Sequence, residues 1–224
     1  MFIRHLTLYT DKINELANFY SATLGLPLAG REAESFTLSC GQSTLTFRQS
    51  AAVPPYHFAF NIPPRQEEAA LAWLKERVEV LRGDDGEITD FPAWNARAVY
   101  FTDPAGNIVE FIGRRDLPYQ PVQPFGPQAV REISEIGLST GSIKSVYDSL
   151  QPIAGVPVYS GSFEHFCALG DAHGLLICVN KDSKKWYPTS VRALPAPFEL
   201  LFGQNDRNYR LVYHDERLQL MVED

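Results

Sequence analysis

Two histidines and one glutamate are the residues of this chain best suited to chemistry. His5 and His57 lie at equivalent positions of predicted strands, and Glu110 lies in a later strand of the unit that begins with His57. Two imidazoles and one carboxylate with open positions form the facial set associated with non-haem Fe(II), and zinc, manganese, nickel and cobalt also accept it. The sequence therefore predicts a divalent metal ion, with Fe(II) favoured and substrate oxygens at the open positions.

A simpler interpretation of the same residues stays open. His5 and His57 could be half-buried strand residues whose imidazoles hydrogen-bond to the backbone, and Glu110 could be solvated. That interpretation would be preferred for one isolated histidine. Two histidines at equivalent positions of a repeat are less easily explained in this way.

The first of these histidines belongs to a predicted β-α-β-β-β unit. Residues 2–9 alternate in character as a strand does, and residues 11–24 carry apolar side chains at helical spacing. Gly25 follows the helix as a C-terminal signal. Three short β-type segments complete the unit at about residues 26–31, 35–40 and 44–49.

The same order of elements recurs around His57 and Glu110. A strand over residues 57–61 precedes a helix that starts at Pro63-Pro64, and a weaker strand lies near Val80. Strands over residues 98–102 and 108–112 frame an Asp-Pro-Ala-Gly-Asn turn. This pattern predicts a second β-α-β-β-β unit.

A third copy follows a proline-rich segment. Prolines at positions 118, 121, 124 and 127 predict an extended linker over residues 117–128. Beyond it, residues 133–140 align without gaps on residues 3–10, with three of eight positions identical. Strands near residues 198–202, 209–213 and 218–222, with no helix between them, predict a degraded fourth copy. We therefore predict an α+β protein with domains 1–116 and 129–224.

The repeated units and the segment YFTDPAGNIVEF resemble the vicinal oxygen chelate superfamily, which includes glyoxalase I, bleomycin-resistance proteins and extradiol dioxygenases. The resemblance implies a glyoxalase-like fold, in which paired units form half-open barrel sheets around a metal held from the first and last strands of each unit. Those positions are His5 and His57 on first strands and Thr46 and Glu110 on last strands. In the third unit they are Glu135 and Cys178. The resemblance thus implies a metal at His5, His57 and Glu110, and a second, degenerate domain without one.

Residues 100–110 also match the second half of the extradiol dioxygenase signature, Y-x-x-D-P-x-G-x-x-x-E. The histidine that the signature places upstream, as the acid-base group, is absent from residues 91–97. Tyr100 and Arg97 are the candidates to replace it as catalytic residues. Strand alternation predicts that only one of these two side chains points into the cleft.

These features predict a metal-dependent vicinal oxygen chelate enzyme that acts on a small oxygen-rich molecule. A ring-cleaving, extradiol-type dioxygenase is favoured because two histidines and one glutamate resemble the dioxygenase set. A glyoxalase-like lyase or isomerase is one alternative, although glyoxalase I uses an acid from the last strand of both units and Thr46 is not an acid. A non-catalytic binding protein of the bleomycin type is the other.

The composition of the chain limits the kinds of partner that the protein is expected to bind. The net charge is −7 and no long basic cluster occurs, so we expect no nucleic-acid binding. We also expect no membrane segment and no export signal, because the apolar runs are only strand-sized. Three cysteines without metal-type pairing favour the reducing cytoplasm. A small-molecule substrate and a monomer or homodimer are the remaining expectations.

Overall fold

The repeated units assemble into two mixed β-sheets in the computed structural model, which describes residues 1–223. The helices are α1 (Ile13–Asn18), α2 (Glu67–Lys75) and α3 (Ile143–Ala154). The strands of the first half are β1 (Phe2–Thr10), β2 (Leu28–Arg31), β3 (Ser35–Cys40), β4 (Ser43–Gln49), β5 (His57–Ile62), β6 (Val80–Leu81), β7 (Thr89–Phe91), β8 (Ala96–Thr102) and β9 (Ile108–Arg114). Those of the second half are β10 (Glu132–Thr140), β11 (Val158–Ser162), β12 (Phe166–Asp171), β13 (Gly174–Asn180), β14 (Phe198–Gln204), β15 (Arg207–His214) and β16 (Arg217–Glu223).

The helix predicted over residues 11–24 has two parts. The α-helix α1 ends at Asn18, and Phe19–Thr23 continue it as a π-helical turn, in which the amide of Leu24 bonds to the carbonyl of Phe19. Helix α3 is capped at both ends. The Ser142 side chain accepts a hydrogen bond from the backbone N–H of Ser145, and Gly155 ends the helix at a φ of 67°.

The units pair across the two halves of the chain. One sheet has the strand order β16-β15-β14-β1-β4-β3-β2, and the other has the order β11-β12-β13-β10-β5-β9-β8-β6. The first unit therefore shares a sheet with the fourth, and the second shares a sheet with the third. This corrects the predicted division into domains 1–116 and 129–224. The physical reason is that β10 pairs antiparallel with β5, at the edge that β9 leaves free, and so extends the sheet of the second unit.

A continuous apolar core joins the two sheets. It contains Leu6 and Phe47 from the first sheet together with Phe58 and Ile136 from the second, all fully buried. Alternate residues of the second sheet point the other way, toward a smaller apolar cluster that includes Ala59. That opposite face carries the candidate site. Within residues 1–223, no helix has the length and apolar character needed to cross a membrane.

Candidate metal centre

Three buried ionisable side chains converge on the face of the second sheet that points away from the main core. They are His57 on β5, Glu110 on β9 and Glu135 on β10, and one ligand atom from each lies within 4.8 Å of the others. Glu110 and Glu135 both pair in register with Ala59, from opposite sides of β5. The methyl group of Ala59 leaves room for the two carboxylates to turn toward His57.

The spacing of the three groups suits a shared ion better than direct hydrogen bonds. Nε2 of His57 lies 3.6 Å from Oε2 of Glu110 and 3.5 Å from Oε2 of Glu135. Both separations exceed the usual range of an N–H···O hydrogen bond. Ligand atoms that surround an ion at about 2.0 to 2.2 Å lie roughly 3.0 to 3.5 Å apart. The observed distances are therefore close to those of a coordination shell.

Each of the three side chains is oriented by a neighbour. Nδ1 of His57 lies 3.2 Å from the carbonyl oxygen of Ile108, so an N–H at Nδ1 donates there and the lone pair at Nε2 faces the carboxylates. Nη2 of Arg114 donates to Oε1 of Glu135, and the hydroxyl of Tyr100 approaches Glu110. Supporting contacts of this kind are typical of metal ligands in proteins.

Electrostatics also favours a cation at this point. Burial and the neighbouring Glu135 raise the pKa of Glu110 to about 8. Burial alone would lower the pKa of His57, but the carboxylates of Glu135 and Glu110 outweigh burial and raise it above its ordinary value. Glu110 therefore keeps a proton near neutral pH, because two ionised carboxylates would repel each other at close range in a buried site. A divalent cation would remove that repulsion, so one imidazole and two carboxylates fit a divalent ion such as Mn²⁺, Fe²⁺ or Zn²⁺.

His5 does not belong to this group, which corrects its prediction as the third ligand. It lies on β1 in the other sheet, where Nδ1 is 2.6 Å from Oγ1 of Thr44 and Nε2 is 3.0 Å from Oγ1 of Thr7. The reason is the pairing of units, because the third unit and not the first completes the sheet that carries His57. Glu135, which aligns with His5 in the repeat, occupies the corresponding place.

The alignment of residues 133–140 with residues 3–10 already aligns Glu135 with His5. Glu135 is missed as a ligand because the third unit is predicted to hold no metal. An alignment of Cys178 with Glu110 leaves that unit without a coherent ligand set. In the structure Gly137 pairs with Ile177 as Ala59 pairs with Glu110, so Ile177 is the true counterpart of Glu110. Ile177 lines the cavity, and Cys178 is buried in the core. Three ligands and one apolar position result.

Tyr100 and Arg97 lie on opposite sides of β8. Tyr100 lines the cavity, whereas Nη1 of Arg97 lies 2.5 Å from Oε1 of Glu68 on α2. Arg97 is therefore held on the α2 side of the sheet, opposite the face on which the three side chains converge. Of the two candidate catalytic residues, only Tyr100 reaches the site.

The cavity above the three ligands has a volume of about 370 Å³. Part of its wall comes from the strap, which we define as residues 181–193 between β13 and β14. Trp186 of the strap donates from Nε1 to the carbonyl of Pro55 at 3.2 Å, and its ring centre lies 5.7 Å from that of His57. The residues of the strap show no strand or helix periodicity, so the sequence predicts no role for them.

Part of the sequence matches a known protein superfamily. The sequence model of the Glyoxalase/Bleomycin resistance protein/Dioxygenase superfamily matches residues 2–111. The matched residues, just under half of the chain, therefore belong to that superfamily. No curated protein matches the sequence.

Two solved structures of the superfamily type resemble nearly the whole chain. A "putative dioxygenase" from Bacillus subtilis has 16% identity and a TM-score of 0.64, with 99% of this chain and 84% of that chain covered. A glyoxalase I variant from Zea mays has 12% identity and a TM-score of 0.59, with 99% and 92% covered. At these identities the likeness shows the glyoxalase-like fold alone.

Proposed function

We propose that this superfamily member is a metal-dependent enzyme in which His57, Glu110 and Glu135 hold one divalent ion. The observation that carries the proposal is the convergence of one imidazole and two carboxylates at the floor of a cavity. When bound, the ion acts as a Lewis acid toward two oxygen atoms of a small substrate. The apolar Ile177 at the fourth position leaves coordination sites free for those oxygens.

The ligand set favours a non-oxidative lyase or isomerase. The preference for a dioxygenase rested on two histidines, and the structure supplies one histidine and two carboxylates. A carboxylate beside a polarised carbonyl is suited to take the proton from the adjacent carbon. Glu110 and Glu135, on either side of His57, are the two carboxylates positioned for this role.

Tyr100 is suited to the opposite role. Burial and the charge of Glu110 raise the pKa of its phenol well above the ordinary value, so the hydroxyl keeps its proton at neutral pH. It can therefore donate a hydrogen bond to Glu110 or to a substrate oxygen. The aromatic walls, which include Trp94 and Trp186, limit the access of water to this exchange.

A ring-cleaving dioxygenase is the second candidate. Phe91, Trp94, Phe166 and Trp186 line a cavity that would accommodate a catechol ring. Among the residues that line it, His57 is the one histidine, so Tyr100 would be the proton donor. A non-catalytic binding protein is less well supported, because a binding cavity does not require three buried ionisable groups at its floor.

The test is reconstitution of the metal-free protein with Zn²⁺, Mn²⁺ or Fe²⁺. We expect anaerobic turnover of an α-keto thiol adduct that requires metal and is lost in Glu110→Gln. Arg115→Met, a change at an exposed position, is the control. Oxygen uptake with catechols by the Fe²⁺ form, without anaerobic turnover, would move the assignment to the dioxygenase branch. No metal-dependent turnover of either kind would leave only the binding protein.

A further inference from the structure

The mouth of the cavity differs in charge from its floor. Lys184 and Lys185, both on the strap, line the cavity, and both are exposed. Within residues 1–223, neither ammonium group forms an ion pair or a side-chain hydrogen bond. The other strap lysine, Lys181, is paired with Glu216 at 2.5 Å. The two cavity lysines thus present uncompensated positive charge to whatever enters.

The strap holds these lysines in place. The hydroxyl of Ser139 donates to the carbonyl of Ala193 at 2.7 Å, and the amide of Ala193 donates to the carbonyl of Lys184 at 3.2 Å. Trp186, which follows the pair directly, is 3% exposed. The backbone of the lysine pair is therefore fixed between two anchored points, although the side chains stay free to meet a ligand.

With a metal bound, the cavity would carry a positive charge although the whole protein is negative. The chain carries a net charge of −7, yet among residues 1–223 Glu110 and Glu135 are the only acids that line the cavity. A divalent ion neutralises these two carboxylates, and Arg114 adds a buried positive charge against Glu135. With metal bound, Lys184 and Lys185 therefore leave the cavity positive, which favours an anion.

The walls between floor and mouth are aromatic. The rings of Trp94 and Phe166 are stacked with their centres 6.2 Å apart, and those of Phe91 and Trp94 are 5.9 Å apart. A ligand in the cavity would thus have a metal at the buried floor, aromatic rings along the walls and two ammonium groups at the exposed rim.

From this arrangement we infer that the substrate is a small anion, with two adjacent oxygens at one end, a flat or apolar middle and an acidic oxyanion group at the other. Lys184 and Lys185 bind the oxyanion group. This inference rests on the proposed function, because the metal assigned there orients the substrate. It adds the class of substrate, and it assigns the strap as the element that selects it.

The test uses three catechols that differ only at the far end of the ring. They carry a carboxylate, a phosphonate or a neutral carboxamide, namely 3,4-dihydroxybenzoate, 3,4-dihydroxyphenylphosphonate and 3,4-dihydroxybenzamide. Their affinities for the Zn²⁺-loaded full chain are measured by calorimetry, with quenching of tryptophan fluorescence as a second readout. The variant is Lys184→Met/Lys185→Met, and Lys181→Met on the same strap is its matched control.

We expect the better of the two anions to bind roughly tenfold more tightly than the amide, as charged hydrogen bonds of about 1.5 kcal/mol allow. The double variant should lose this preference and keep its affinity for the amide, while Lys181→Met keeps both. Which anion binds more tightly identifies a carboxylate or a phosphate-type group. Equal binding of acids and amide, or an anion preference that survives the double variant, would overturn the inference.

Failure of the proposed function would be visible separately. Zn²⁺ is titrated into each protein before any catechol is added. A protein that binds Zn²⁺ but shows no anion preference contradicts the inference alone. A protein that binds no Zn²⁺ contradicts the metal site itself, and with it the orientation of the substrate.

Discussion

Nε2 of His57 lies 3.5 Å from Oε2 of Glu135, although a proline-rich segment separates their units in the sequence. The two side chains meet because β5 and β10 are antiparallel neighbours in one sheet. The candidate metal site therefore spans the join between the second and third units. Metal binding at this site therefore requires the pairing of β5 with β10 as well as the three ligands.

Arg114 should stabilise both the fold and the ligand set. It is 1% exposed and pairs with Glu135, and its guanidinium lies 5.3 Å from the ring centre of Trp94. Arg114→Met leaves a buried carboxylate without its partner, which we expect to cost about 3 kcal/mol in the free energy of unfolding of the metal-free protein. Urea denaturation measures this cost.

The neighbouring Arg115 provides the control for that variant, because it is exposed. Arg115→Met should change stability by less than about 0.5 kcal/mol. In a double-mutant cycle, Glu135→Gln should cost less in the Arg114→Met background than alone. Strictly additive costs would show that the two side chains do not interact in the folded protein.

Metal affinity should rise with pH between about 6 and 8. In the metal-free protein burial and Glu135 raise the pKa of Glu110 to about 8, and the carboxylates hold the pKa of His57 above its ordinary value. Glu110 therefore carries a proton that the incoming ion must displace, the raised pKa of His57 adds to this competition, and the competition weakens as the pH rises. We expect a slope of roughly tenfold per pH unit for each proton displaced.

Calorimetry of Zn²⁺ binding in buffers with different ionisation enthalpies measures the protons released. Glu110→Gln removes one of the two titrating groups and should lower the number released. An affinity that is constant from pH 6 to 8, with no proton release, would contradict this account of the electrostatics.

The Asp-Pro-Ala-Gly-Asn turn should contribute to stability and not to metal binding. Asp103 accepts hydrogen bonds from Tyr20 at 2.7 Å and from the side chain of Asn107 at 2.8 Å, all within the buried interior. Tyr20→Phe leaves the carboxylate short of one donor, which should cost about 2 kcal/mol. Tyr147→Phe, at a half-buried position, is the control and should be close to neutral. Equal losses for both variants, or loss of Zn²⁺ binding in Tyr20→Phe, would contradict this role.

The repeat pattern predicted the elements well because their signals are local. The strand at residues 2–9 is β1 at Phe2–Thr10, and the third-unit strand at residues 133–140 lies within β10. The absence of a helix among the last predicted strands also agrees with the described residues, where β14, β15 and β16 follow one another directly. Alternation and helical spacing are properties of neighbouring residues, so a single sequence reveals them.

Local sequence patterns do not predict which units share a sheet. His5 and Glu135 hold the same position in the repeat, and either could have joined His57 according to which unit's first strand lies beside β5. That choice depends on contacts between residues far apart in the sequence, such as the packing of Phe47 against Phe58 with ring centres 6.5 Å apart. The strap was missed for a related reason, since Trp186 gains its role only from distant Pro55.

The most direct test of the central claim is the stoichiometry of Zn²⁺ binding in three proteins: the unmodified chain, Glu135→Gln and His5→Gln. The account predicts one ion per chain in the unmodified protein and in His5→Gln, and a reduction in affinity of at least about tenfold in Glu135→Gln. Circular dichroism establishes that all three are folded. Zn²⁺ binding that is lost in His5→Gln and retained in Glu135→Gln would contradict the site described above.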